Sequence, residues 1–189
     1  MDETSQVLTG QHAMLLYNDD ANPDDTMIRY VNDALKEGHL VVYMPIDENY
    51  ASDRSRVASA ITNYEENVNR GNLCTLQTRR FYEDAIAGNL DLFEELKEVL
   101  EEMMRERIEV GKDNKMTLHF GCAGDLTQND KFEDAITIEK FWQKTFSEWI
   151  EKGLNITLLC PHSNSKLNHP HHDYKKRMRA LHTVMQETP

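Results

Sequence analysis

Histidine and cysteine are the residue types in this sequence with the clearest capacity for chemistry, and five of the eight histidines follow Cys160. His162 follows Cys160 by two positions, and three further histidines lie close together at His169, His171 and His172. Imidazole suits borderline ions, so these three residues are the candidate metal ligands and zinc is the candidate ion. Their spacing matches no structural zinc motif, and solvated loop histidines are the alternative interpretation. No motif in the chain requires a cofactor.

Nucleotide chemistry is excluded by what the sequence lacks. The phosphate loop GxxxxGK[ST] does not occur, and the segment after the first predicted strand, from Asn18 to Pro23, contains neither glycine nor lysine. Backbone N–H groups approach phosphate closely only where glycine allows it. The sequence also contains no HExxH or GxSxG motif, so we expect a protein without enzymatic activity.

Polar side chains follow each predicted strand, and they define a candidate binding site. In parallel α/β sheets, ligands bind beyond the carboxyl ends of the strands. We therefore expect ligand-binding residues among the polar groups at these positions, with solvated surface loops as the alternative. The set is Tyr17, Asp47, Arg79, Arg80, Asp125 and His162.

The elements that must position these residues alternate along the chain. Four glycines, Gly38, Gly71, Gly111 and Gly153, each follow a helical pattern and precede a short apolar run, as a helix C-cap followed by a buried strand would. The runs span 13–17, 39–44, 73–76, 116–120 and 156–160. This alternation predicts an α/β fold, doubly wound, with a mainly parallel sheet of about five or more strands flanked by helices. A last helix is predicted over 174–185, and residues 1–189 are expected to form a single domain.

Charge and cysteine content limit the classes of partner. The 189 residues carry a net charge of -12, which argues against direct binding to nucleic acid or to an anionic membrane surface. No apolar run is long enough to span a bilayer, and three scattered cysteines favour a reduced, cytoplasmic setting. The stretch from Cys160 onward is the exception, with five basic residues against two acidic ones, and it could dock an acidic partner or a second copy of the chain.

Two segments together carry a family resemblance. The opening, with Gly10, His12 and Tyr17, and the second part, with Gly38 and Tyr43, resemble the MEDS sensory domain. That family is regarded as a RecA/KaiC-like fold without the Walker A loop, and its members are predicted to bind small organic molecules. The resemblance implies a sensory domain in which His12 and Tyr17 belong to the ligand site. His162 departs from the family, which more often has an aromatic residue there.

The functional hypothesis that combines these observations is a stand-alone, non-catalytic sensory module. It would bind a small organic ligand at the strand ends and relay this to a separate signalling or transcription-regulatory protein, with homo-oligomer formation as a further expectation. Two alternatives remain open. One is a hydrolase that depends on the C-terminal histidines as metal ligands or on Cys122 or Cys160, and the other is a purely structural oligomeric protein.

Overall fold

One six-stranded sheet forms the centre of the molecule. The computed structural model describes residues 9–18, 23–44, 57–168 and 173–188. The strands are β1 (His12–Tyr17), β2 (Leu40–Met44), β3 (Leu73–Thr75), β4 (Lys115–Phe120), β5 (Asn155–Ser163) and β6 (Val184–Glu187). They are ordered β3-β2-β4-β5-β1-β6, and every neighbouring pair is parallel. The predicted α/β fold with a parallel sheet is confirmed.

Helices cover both faces of this sheet, as a parallel sheet requires. They are α1 (Pro23–Lys36), α2 (Tyr64–Asn69), α3 (Arg79–Ile86), α4 (Asp91–Glu109), α5 (Cys122–Gln128), α6 (Phe132–Glu151), α7 (Asn164–Leu167) and α8 (Tyr174–Arg179). On one face, α1 packs against β1 and β2. On the other, α3 to α6 pack against the strands in the largest apolar cluster. Within the described residues, no helix is both long and apolar enough to cross a bilayer.

Alternation along the central strands decides which side chains meet α6. Met14 and Leu16 of β1 join the apolar cluster that contains Trp142 of α6, whereas Ala13 and Leu15 pack on the opposite face. His12 shares the parity of Met14, so its side chain also lies on the α6 face. Cys160 pairs with Met14 and His162 pairs with Leu16, which brings both β5 side chains to the same face.

Strand β5 is longer than the sequence predicts. The apolar run that predicts this strand ends at Cys160, and it is followed by Pro161, which cannot donate a ladder hydrogen bond. The Leu158 N–H donates to the Gln11 carbonyl on the β1 side, so the nitrogen of Pro161, three positions on, faces the β4 side. The described pairing of β5 with β4 ends at Leu159, so the missing N–H interrupts no described ladder bond. The strand therefore continues through His162 to Ser163.

The predicted C-terminal helix over 174–185 is wrong in its second half. Helix α8 ends at Arg179, and β6 follows as an edge strand beside β1. Helix α8 packs against the rest of the molecule through Met178, which is fully buried. It also contacts α6 through Arg177, whose two terminal nitrogens each lie 2.7 Å from a carboxylate oxygen of Glu133. Part of the basic surface expected to dock a partner is thus engaged within the molecule.

Gly124 of α5 is required by a close backbone approach, which yields a stability prediction. A Cβ at this position would lie 2.2 Å from the carbonyl oxygen of Pro161. Alanine normally stabilises a helix relative to glycine by about 1 kcal/mol. We expect Gly124→Ala to do the reverse and to lower the free energy of unfolding by about 2–3 kcal/mol, measured by urea denaturation.

Gly111→Ala is the matched control for this prediction. Gly111 has a φ of +76°, and no neighbouring atom lies within 4 Å of the position that a Cβ would take. Alanine there should therefore lower the free energy of unfolding only through the strain of a left-handed backbone, by about 1 kcal/mol. A Gly124→Ala protein as stable as the wild type would contradict the close approach.

His119 of β4 makes stability depend on pH. The ring is 3% exposed and stacks on Tyr43 with centroids 4.8 Å apart, and neither ring nitrogen has a hydrogen-bond partner among the described residues. Burial lowers the pKa of His119 to about 3. Below pH 6.5 the unfolded chain therefore binds a proton that the folded chain excludes, so stability falls as pH falls from about 6.5 toward 3.

We expect His119 to lower the free energy of unfolding by about 2 kcal/mol when the pH falls from 7 to 5. His119→Phe keeps an aromatic ring for the stack and loses the titrating group. Urea denaturation at both pH values should therefore show a pH-dependent loss smaller by about that amount in the variant. An unchanged pH dependence would show that His119 titrates normally in the folded protein.

Candidate functional site

A pocket at the carboxyl end of the sheet brings together residues from three helices. Arg79 is the first residue of α3, which follows β3, and Asp125 lies on α5, which begins two residues after β4. Lys131 and Asp134 come from the start of α6. The pocket has a volume of about 230 Å³, and its remaining lining residues are Tyr82, Glu83, Ile86 and Leu126.

Both signs of charge line this pocket. Arg79 and Lys131 are cationic, whereas Glu83, Asp125 and Asp134 are anionic. The Nε of Arg79 lies 3.2 Å from a carboxylate oxygen of Glu83, an exposed pair one helical turn apart. Such an exposed pair contributes little to stability. The mixture of charged, aromatic and aliphatic groups is suited to a small polar organic molecule.

The other strand-end candidates have different positions. Arg80 is exposed beside Arg79 and does not line the pocket, and Asp47 lies outside the described residues. Tyr17 is 6% exposed, and its hydroxyl accepts a hydrogen bond from Nε2 of Gln128 at 2.8 Å. The ring of Tyr17 therefore lies at the end of β1 against α5, apart from the pocket lining.

His12 and His162 are not in the pocket but in the core, in what we call the buried cluster: His12, Glu139, Cys160, His162 and His182. The side chains of all three histidines are fully buried and Glu139 is 1% exposed. The extension of β5 through Ser163 explains the position of His162, because a residue expected in an exit loop lies within a central strand.

Glu139 of α6 lies at the centre of this cluster. Its Oε2 is 3.3 Å from Nε2 of His12 and 3.3 Å from Nε2 of His182, and its Oε1 is 3.3 Å from Nε2 of His162. The Sγ of Cys160 lies 3.4 Å from Nε2 of His12. Carboxylate, thiol and imidazole groups thus converge on one small region between β1, β5 and α6.

A second set of contacts fixes the orientation of two of these rings. Nδ1 of His12 lies 2.8 Å from the carboxamide oxygen of Gln143, one turn after Glu139 on α6. Nδ1 of His182 lies 2.7 Å from the backbone carbonyl oxygen of Met178. Both partners are acceptors, so each Nδ1 carries the proton and donates. In their neutral forms, both rings therefore present an Nε2 lone pair to the cluster.

The charge state of Glu139 follows from its surroundings. Burial raises the pKa of this carboxyl group, but its interactions with His182, His12 and His162 outweigh that effect. The pKa is held well below its usual value, so the buried group is a carboxylate.

The sequence analysis missed Glu139 and His182. Glu139 shares one face of α6 with Trp142 and Phe146, and an acidic residue on such an apolar face was the signal available. His182 lay in a predicted helix and had no signal of its own. Of the predicted metal ligands, His169, His171 and His172 lie outside the described residues, and the side chain of Cys122 is also not described.

Comparison with known proteins identifies the fold and no more. No known family profile matches the chain, and no curated protein matches its sequence. Among solved structures, it is similar to the flagellar accessory protein FlaH from Methanocaldococcus jannaschii, with a TM-score of 0.51 and 10% sequence identity. The alignment covers 97% of this chain and 73% of that one. This similarity supports the RecA/KaiC-like architecture predicted from the sequence.

Proposed function

We propose that this protein is a cytoplasmic, non-catalytic sensory module of RecA-like fold that binds a small organic ligand in the pocket lined by Arg79 and Asp125. The observation that carries the proposal is the convergence of these two oppositely charged residues, from separate strand exits, on one pocket. The MEDS-like opening of the sequence agrees with this assignment.

The position and size of the pocket support a binding role. Open parallel sheets bind ligands beyond the carboxyl ends of their strands, where Arg79 and Asp125 follow β3 and β4. A volume of about 230 Å³ is below the usual range for drug-sized ligands and suits a molecule of a few heavy atoms. With cationic and anionic groups on its walls, the pocket favours an amino acid or another small zwitterion over a phosphorylated nucleotide.

The absence of a phosphate loop supports a role without nucleotide hydrolysis. The whole sequence contains no GxxxxGK[ST], and the residues after β1 lack the glycines that would let backbone N–H groups cradle phosphate. In this proposal the module acts by associating with a separate signalling or transcription-regulatory protein.

Thermal-shift measurements against amino acids, amines and small carboxylates test the binding role. We expect at least one compound to raise the melting temperature in a concentration-dependent manner, because a ligand that binds only the folded state stabilises it. Arg79→Ala should weaken binding of that compound about tenfold or more, measured by calorimetry, since hydrogen bonds to charged groups contribute roughly 1.5–3 kcal/mol.

Arg105→Ala is the matched control, because Arg105 is also an exposed helical arginine, paired with Glu102 at 2.6 Å, and lies outside the pocket. The Arg105→Ala protein should bind the compound with the same affinity as the wild type. Equal loss in both variants, or a panel without any thermal shift, would contradict ligand binding here and favour a structural oligomeric role. ATP hydrolysis by pure protein, abolished by Asp125→Asn, would contradict the non-catalytic assignment.

A further inference from the structure

The buried cluster contains more lone pairs than protons can satisfy. With Nδ1 donating to Gln143 in His12 and to Met178 in His182, each neutral ring has an Nε2 lone pair 3.3 Å from the same carboxylate oxygen of Glu139. The Cys160 thiol lies 3.4 Å from Nε2 of His12 and would donate to that lone pair, but it leaves the lone pair of His182 facing Oε2. Lone pairs that face each other at 3.3 Å in a buried site repel. A cation between them converts the same arrangement into an attraction.

Protonation of the rings does not resolve this conflict. Two imidazolium rings would lie with centroids 4.2 Å apart and with fully buried side chains, where like charges are strongly unfavourable. One imidazolium would balance the charge of Glu139, with the Cys160 thiol donating to the other ring, but each contact from an imidazole Nε2 to Oε2 is 3.3 Å long. A charge-assisted N–H to carboxylate bond is shorter, at about 2.7–2.9 Å.

Polar atoms at the centre of the cluster also lack hydrogen bonds. Among the described residues, neither oxygen of Glu139 nor Nε2 of His182 has a hydrogen-bond partner. Buried polar atoms in proteins almost always have one, so Oε2 of Glu139 and Nε2 of His182, which face each other, indicate a bound species.

Three of the separations among these atoms fit a four-coordinate metal. Zinc bonds of about 2.0–2.1 Å to nitrogen and oxygen place the corners of a tetrahedron about 3.3 Å apart, the distance from Oε2 to each Nε2. The longer zinc–sulfur bond of about 2.3 Å gives a slightly larger edge to sulfur. The observed distance from Sγ of Cys160 to Nε2 of His12 is 3.4 Å, and the four candidate ligand atoms all lie within 4.8 Å of one another.

We propose that His12, Glu139, Cys160 and His182 bind a divalent transition-metal ion, with zinc as the best-suited ion. A dication with one thiolate, one carboxylate and two neutral imidazoles forms a site without net charge, which lowers the cost of burial. Four protein ligands leave no open position, so the site is structural rather than catalytic.

The surrounding residues form the second shell that such a site requires. Metal-bound histidines typically donate their other N–H to a carbonyl or carboxylate group, as His12 does to Gln143 and His182 does to Met178. His162 lies beside Oε1, the carboxylate oxygen that does not face His12 and His182. The proposed ligands do not include His169, His171 or His172, and the site does not depend on the proposed ligand pocket.

Metal content of the full chain tests this proposal. The protein is purified without a histidine tag from zinc-supplemented cells, and zinc is measured by mass spectrometry. We expect one equivalent in the wild type, in Cys74→Ser and in a variant with His169, His171 and His172 all changed to alanine. Cys160→Ser and Glu139→Gln should retain less than about a fifth of that amount, because each loses a ligand.

Cobalt replacement in the wild type keeps the test valid if these buried variants fail to fold. Tetrahedral Co²⁺ with a thiolate ligand gives intense visible bands and a sulfur-to-metal charge-transfer band, and zinc should displace both. Chelation should lower the melting temperature by at least about 5 °C, restored by zinc.

Three results would overturn the proposal. The first is a wild type that binds neither zinc nor cobalt, which would make the cluster a metal-free imidazolium–carboxylate network. The second is a cobalt protein without the thiolate band. The third is zinc that persists in Cys160→Ser and disappears from the variant of His169, His171 and His172.

Discussion

Burial of the Glu139 carboxylate is the constraint on which the centre of this molecule depends. Moving one carboxylate out of water costs several kcal/mol unless charge and hydrogen-bonding groups compensate it. Here the compensating groups come from β1, from β5 and from the segment between α8 and β6, through His12, His162 and His182. The carboxylate on α6 thus requires that the first strand, the fifth strand and the C-terminal segment meet at one place. Apolar packing, which is not directional, would not specify that meeting point.

Much of the surrounding architecture follows from the sequence, for identifiable reasons. Strands β1, β2, β4 and β5 are nearly continuous apolar runs because both faces of a parallel sheet are covered, and runs of this kind are visible without a structure. The secondary structure of the C-terminal region was harder to predict from the sequence. Met178 and Leu181 have helical spacing, but α8 ends at Arg179 and Val184 begins an edge strand. Pairing with β1 outweighs local periodicity there, and a single sequence does not show that β1 has a free edge.

The two candidate sites also differ in how far their residues could be predicted from the sequence. Arg79 and Asp125 could be selected from the sequence because residues after parallel strands share one edge of the sheet, and both line the pocket. His162 was assigned to the same edge because the apolar run of the predicted strand ends at Cys160, whereas β5 continues to Ser163. Glu139 and His182 are 43 positions apart and belong to elements whose contact depends on the strand order, so no local pattern joins them. The positions of side chains at strand ends can be predicted from topology, whereas the positions of side chains inside the core require knowledge of packing.

Helix α6 connects the two candidate sites. Lys131 and Asp134 at its start line the pocket, and Glu139 in its second turn lies in the buried cluster. The distance along the helix from Asp134 to Glu139 is about 7.5 Å, at about 1.5 Å per residue, so the two regions belong to one rigid element. Contacts from β1, β5 and the segment before β6 fix Glu139 and with it the rotation of α6. Because that rotation determines where Lys131 and Asp134 lie, the pocket walls are positioned before any ligand arrives. A pre-formed wall of this kind reduces the ordering cost of binding, which matters most for a ligand of a few atoms that offers few contacts to offset it.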